Sequence, residues 1–173
     1  MLKAIVATSV LFALIQSGFA QETWTDRVKK ALREVVPPSA TCKGGAEGGI
    51  CTFSSATVAF RATYEIDRVT AEAAFAEEPG GRRDDPDILA SLNAVYGLWT
   101  KFEFTKPQVG TCMKAAMDES LRTAGTHING ILQGSGKVKS GRWLLTCKVI
   151  SRPNGRQGWS RNMVATLTQD NSF

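Results

Sequence analysis

His127 is the single histidine of the chain, so it is the one imidazole that could serve as a general base beside a nucleophile. It follows a helical stretch within Ala124-Gly125-Thr126-His127, where a satisfied surface or strand-edge histidine is the expected role. Carboxylates could do acid–base work as a pair. Asp84, Asp85 and Asp87 fall in a polar linker and at a helix start, where capping and the helix dipole account for them, and Asp118 and Glu119 fall on the solvent side of a helical stripe. Four cysteines are present without a Cys-x-x-Cys spacing, so no metal site is expected. Four glycines crowd the stretch Cys42-Lys-Gly-Gly-Ala-Glu-Gly-Gly-Ile-Cys51, but no Gly-Lys-Ser/Thr or Gly-x-Gly-x-x-Gly accompanies them, which argues against a phosphate cradle and for a mobile, stapled loop. No cofactor is implied. The enzyme reading reduces to a secreted hydrolase using carboxylates and His127, and it is the less favoured one.

The basic residues are the second chemical resource. Residues 106–173 hold ten Lys and Arg against three Asp and Glu, whereas residues 1–105 hold eleven against thirteen. Lys137, Lys139, Arg142, Lys148, Arg152 and Arg156 are candidate contacts for an anion or an acidic partner. Sequence-specific nucleic-acid binding is not expected. It would call for aromatics exposed among these cations, and the alternation around Trp143 and Trp159 places both on a buried face. The corresponding expectation is weak, salt-sensitive attraction to polyanions.

These side chains must be positioned by the stretch from Val109 to Gln169, which reads as one amphipathic helix followed by three strands. Val109, Cys112, Met113, Ala116, Met117, Ser120 and Leu121 recur at helical spacing, Pro107 suits the first turn, and Gly125 suits a left-handed stop. Between Arg142 and Ser151, Trp143, Leu145, Cys147 and Val149 alternate with Leu144, Thr146, Lys148 and Ile150. Arg152-Pro153-Asn154-Gly155 suggests a three-residue loop, which would pair Val149 with Trp159, Cys147 with Arg161, Leu145 with Met163 and Trp143 with Ala165. In that register Arg161 is the one charge on the apolar face. It should therefore reach water or pair with Asp118 or Glu119. Cys112 and Cys147 both point inward and are expected to pair, leaving Cys42 with Cys51.

Earlier in the chain, Trp24, Val28, Ala31, Leu32, Val35 and Val36 form a helical stripe, with Thr23 or Thr25 as cap and Pro37-Pro38 as stop. Residues 57–66 alternate as a half-buried strand, and 68–78 are read as a second strand despite their Ala and Glu content. The polar run 79–85 suggests a linker between two halves, each with helix before strands. Asp85-Pro86-Asp87 opens a helix with the stripe Ile88, Leu89, Leu92, Val95, Tyr96 and Trp99.

Residues 1–20 carry Lys3, an apolar run and Gly18-Phe19-Ala20, the pattern of a secretory leader cleaved near Ala20. Residues 21–173 are then expected to be a single exported domain, periplasmic or secreted, in which two disulfides suit an oxidising compartment. No second apolar run is long enough for a transmembrane segment. The expected architecture is α+β, an antiparallel sheet of about four to five strands packed by two or three helices and stapled by disulfides. The expected role is a non-catalytic binding or inhibitory protein whose partner is another protein or an envelope polymer.

Overall fold

The computed structural model describes residues 22–77, 85–123, 130–155 and 158–169. The expected leader (residues 1–20), most of the expected linker (79–85), Gly125, His127 and Arg156 lie outside the described residues. Among the described residues three helices, α1 (Trp24–Val35), α2 (Pro86–Trp99) and α3 (Lys106–Arg122), accompany seven strands: β1 (Thr41–Gly44), β2 (Gly49–Ser54), β3 (Val58–Tyr64), β4 (Arg68–Glu77), β5 (Leu132–Ser140), β6 (Trp143–Pro153) and β7 (Trp159–Gln169). All neighbours are antiparallel in a single sheet ordered β1-β2-β3-β4-β7-β6-β5. The class is α+β, but the sheet is larger than the four to five strands expected. The halves on either side of the linker share it through β4 and β7.

The helices start where their side chains can satisfy the first backbone N–H groups. The Thr23 hydroxyl accepts from Asp26 N–H, the Asp85 carboxylate accepts from Asp87 and Ile88 N–H, and Thr105 exchanges hydrogen bonds with Gln108 in a capping box ahead of Pro107. Every strand then turns alternate residues toward the helices. One row across that inward face reads Cys42, Cys51, Ala62, Ala71, Ala165, Cys147 and Gly136, all small. Small residues in this row let the helices lie close: α2 touches β3, β4 and β7, and α3 touches β5 and β6. Val95, Leu98, Trp99, Phe102 and Val109 are fully buried in the same core. At one end of it Trp24 stacks on Trp143 with ring centroids 4.7 Å apart and donates through Nε1 to the Glu65 carbonyl.

The closest approach is between α3 and β5. A Cβ on Gly136 would stand 2.1 Å from the Cys112 carbonyl oxygen, and one on Gly134 would stand 2.1 Å from that of Ala116. Cys112 and Ala116 are four residues apart on the helix, a rise of about 6 Å that matches the two-residue step between the glycines. The helix backbone thus runs along a glycine-lined track. The Cys112–Cys147 disulfide fastens it there, and Cys147 is the strand partner of Gly136.

Several expectations are corrected. The β6–β7 register is displaced by four residues: Val149 lies opposite Met163, Cys147 opposite Ala165, Leu145 opposite Leu167 and Trp143 opposite Gln169. Pro153 pairs with Trp159, so residues 154–158 form the connection, closed by Asn154 N–H to the Gly158 carbonyl and by Gly158 N–H to Asn154 Oδ1. A shift of four preserves which side chains face inward. Arg161 is therefore still inward, but it stands opposite Ser151 and Phe75, half-buried, with Nη1 donating to Met117 Sδ at 3.3 Å. Asp118 is engaged by Lys114, and Glu119 by Ser135 and Arg122.

The glycine-rich stretch expected to be a mobile loop is the hairpin β1–β2, in which Cys42 and Cys51 are directly opposite and bonded. Gly44 and Gly49 are required there because a Cβ on either would collide with the Tyr64 hydroxyl, at 2.6 and 2.4 Å. Ile66 lies in the β3–β4 turn and is 67 % exposed, while Leu89 and Leu121, expected on buried stripes, are 44 % and 62 % exposed. Val95 and Trp99 of the α2 stripe are buried as expected and Ile88, Leu92 and Tyr96 pack against the core, with Ser91, Ala94 and Leu98 completing the inward side. Trp143 is buried as expected, whereas Trp159, near the sheet's end, is half-buried.

Candidate functional site

All three helices pack on one face of the sheet, so the other face is uncovered among the described residues. Its side chains form rows fixed by the strand pairing. One row reads Lys43, Ile50, Thr63, Thr70, Thr166, Thr146 and Lys137, a run of four threonines with a lysine toward each end. The Thr70 and Thr166 hydroxyls lie 3.2 Å apart. The next row reads Thr41, Thr52, Arg61, Glu72, Val164, Lys148 and Ser135. Beyond these come Ala59, Ala74, Asn162 and Ile150 on one side, and Arg68, Thr168, Leu144 and Lys139 on the other. Arg152 sits beside Ser160 at the far end.

Strands lie about 4.8 Å apart, and same-face residues repeat about every 6.8 Å along a strand. The face therefore spans roughly 29 by 27 Å, or roughly 800 Å². Threonine, alanine, valine, isoleucine and leucine occupy much of its middle. Lys43, Arg61, Arg68, Lys137, Lys139, Lys148 and Arg152 are its cations, all exposed. Glu72 is its sole carboxylate among the described residues, and it accepts from Asn162 Nδ2 at 2.6 Å. A depression of about 310 Å³ opens where Ala59 and Ala74 stand side by side, rimmed by Thr52, Ser54, Arg61 and Glu72. No outward strand position in the described residues carries an aromatic ring.

Both sheet edges are guarded. β1 is four residues long and cross-linked to β2. On β5, Ser135 N–H donates to the Glu119 carboxylate and the Gln133 carbonyl accepts from the Thr123 hydroxyl, so side chains of α3 and its cap occupy edge groups that another strand would otherwise use. These bonds from the Ser135 amide and hydroxyl, then the charge of Arg122, hold the Glu119 carboxyl below the usual carboxylate range. Asp26, through the Thr23 hydroxyl, and Glu34, through Lys101, are lowered as well. These acids belong to the helical side. The helices also carry seven Lys and Arg beside their five Asp and Glu, so the two faces differ in that the open one has almost no carboxylate.

Of the sequence-expected contacts, Lys137, Lys139, Lys148 and Arg152 come together on the β5–β6 side of the open face. Arg142 lies in the β5–β6 turn, its guanidinium 5.0 Å from the Trp143 ring centroid. Arg156 lies outside the described residues. Sequence reasoning missed Lys43, Arg61 and Arg68, which come from the half whose net charge is negative. Arg61 was legible as outward-facing within β3, but nothing local shows that β4 joins β7 and brings it onto the same surface.

Among the described residues no three His, Cys, Asp or Glu side chains are grouped so as to hold a metal ion. No described helix is long and apolar enough to cross a membrane. Asp85 and Asp87 belong to the α2 N-terminus and Asp118 to an i,i+4 pair with Lys114. His127, the other group the hydrolase reading requires, lies outside the described residues. No family model, curated protein or solved structure matches the chain.

Proposed function

We propose that this chain is an exported, non-catalytic binding or inhibitory protein that acts in the periplasm or outside the cell and meets its partner with the open face of its sheet. The observation that carries the reading is the placement of all three helices on one face. Among the described residues the other is left open, carries seven cations against one carboxylate, and is comparable in area to one side of a standard protein–protein interface, roughly 800 Å². The secretory pattern of residues 1–20 and the two disulfides support export.

A photo-crosslinking residue introduced at Thr166, in the middle of the face, tests this in the native cell. A discrete adduct with another molecule is expected from Thr166 and not from Leu121, which is exposed on α3. Adducts from Leu121 alone would move the contact to the helical side. Turnover of cell-wall, glycan, ester or peptide substrates by the purified protein would overturn the non-catalytic reading.

A further inference from the structure

We infer that the partner is a protein with an acidic rim around a small apolar patch, docked on the open sheet face. The inference rests on the binding reading above and narrows it to one class of partner. Three features of the face select that class. Seven cations oppose one carboxylate on the described outward positions, so a complementary surface must be acidic. The cations do not form one continuous track. Lys137, Lys139, Lys148 and Arg152 lie toward β5 and β6, Arg61, Arg68 and Lys43 lie on β3, β4 and β1, and threonine, valine and alanine separate the two groups. A linear polyanion gains most from an unbroken basic groove and from aromatic platforms, and this face offers neither. Hydroxyl-bearing and apolar side chains around the opposed Arg61 and Glu72, with further cations toward the edges, fit a protein interface better.

The hollow over Ala59 and Ala74 supplies an anchor point. Ala59 and Ala74 line it together with Phe53 and Phe60, and Arg61 and Glu72 are its charged lining residues. A small side chain flanked by a partner carboxylate would fill it, with the carboxylate meeting the guanidinium in charge-assisted hydrogen bonds. A second copy of this chain is a poor occupant, because a two-fold contact would set the same cations against one another.

The probe for this chemistry is a helical peptide with a leucine and alanine stripe bordered by glutamates, compared with heparin on the full oxidised protein. Binding is read by fluorescence anisotropy at about 50 mM salt, where surface charges are least screened. The double variant Lys137→Glu/Lys148→Glu is expected to weaken peptide binding by about ten-fold or more, while Lys29→Glu/Lys30→Glu on α1, with the same change in net charge, leaves it within about two-fold. Ala74→Arg, which fills the hollow yet adds a positive charge, should also weaken it. Far-UV circular dichroism verifies that each variant is folded.

Equal losses from the two charge reversals would overturn the inference, since the whole molecule's field would then be responsible. Tighter binding of heparin than of the peptide would overturn it in favour of a polymeric anion, and a protein dimer in sedimentation would overturn it in favour of a second copy. Absence of peptide binding, beside a Thr166 adduct in the cell, would reject the acidic-protein partner while leaving the open face as the binding surface. Absence of both would reject the two together.

Discussion

Replacing Gly136 with alanine adds a single methyl group, and its cost follows from what that methyl meets. The new Cβ would stand 2.1 Å from the Cys112 carbonyl oxygen, 3.0 Å from Ala115 Cβ and 3.1 Å from Ala116 N. Non-bonded contacts are comfortable only near 3.5 Å, so α3 must retreat by about 1 Å. The opposing atom belongs to the backbone, so no side-chain rotation can relieve the contact. Retreat is resisted by the Cys112–Cys147 disulfide, which ties the helix to the strand residue opposite Gly136. Overpacking costs about 1–3 kcal/mol, and this rigid case belongs at the upper end, about 3 kcal/mol. Against a total stability of about 5–15 kcal/mol, the loss should be plain as a fall in the urea midpoint.

Two companions make the reasoning exposed to failure. Gly110→Ala lies on the same helix with nothing within 4 Å of its new Cβ, and should stabilise by about 0.5–1 kcal/mol through helix propensity alone. In a Cys112→Ala/Cys147→Ala background the penalty of Gly136→Ala should shrink, to about 1–2 kcal/mol, because the helix can then shift. If Gly136→Ala unfolds within about 0.5 kcal/mol of the wild type, α3 does not ride on the strand as closely as described, and the account of the glycine track is wrong.

Glu119 tests the guarded β5 edge by pH. Its folded-state pKa is lowered, chiefly by the Ser135 amide, so its contribution is present above the ordinary carboxylate value of 4.5 and is lost as pH falls through the lower folded value. Denaturation midpoints of the wild type and Glu119→Gln should differ at neutral pH and converge on acidification, whereas parallel curves would remove Glu119 from the edge. Arg161→Met replaces a half-buried inward charge beside Met117 with an apolar side chain, and should leave stability within about 1 kcal/mol of wild type or raise it. A loss of about 3 kcal/mol or more would mean that the guanidinium bonds in that pocket outweigh its desolvation.

The elements whose chemistry is local were legible. The caps at Thr23 and Asp85, the alternation of β3, and the apolar inward set of β6 are all carried by neighbouring residues. Least marked by pattern was the material in which a nearby backbone or ring replaces the expected apolar side chain. β5 turns Leu132, Gly134, Gly136, Val138 and Ser140 inward, a set with little hydrophobic signal because the α3 backbone fills the space that side chains would take. β1 and β2 were hidden in the same way, by glycines that pass beneath Tyr64. Between Cys42 and Cys51 glycine suggested a flexible loop. Its role in the strand is close approach.

The β6–β7 register failed for a different reason, and that reason also governs how the open face could be read. Alternation has a period of two, so it identifies the face of each residue and is blind to any even slip along the strand. A shift of four changed every pair between β6 and β7 and moved no side chain from one face to the other. Inward and outward sets were therefore readable strand by strand, and Lys148, Lys137 and Arg61 were each assignable to an outward position or to an exposed cation group. Their arrangement depends on the pairing of Arg68 with Thr168 and Glu72 with Val164, contacts between residues nearly a hundred positions apart. Chain order divided the charge into an acidic half and a basic half, whereas the β4–β7 junction brings cations from both halves onto one open face, where Glu72 is the sole carboxylate among the described residues. The surface on which function is proposed is thus a property of strand order, which is why neither its composition nor its extent could be seen before the sheet was assembled.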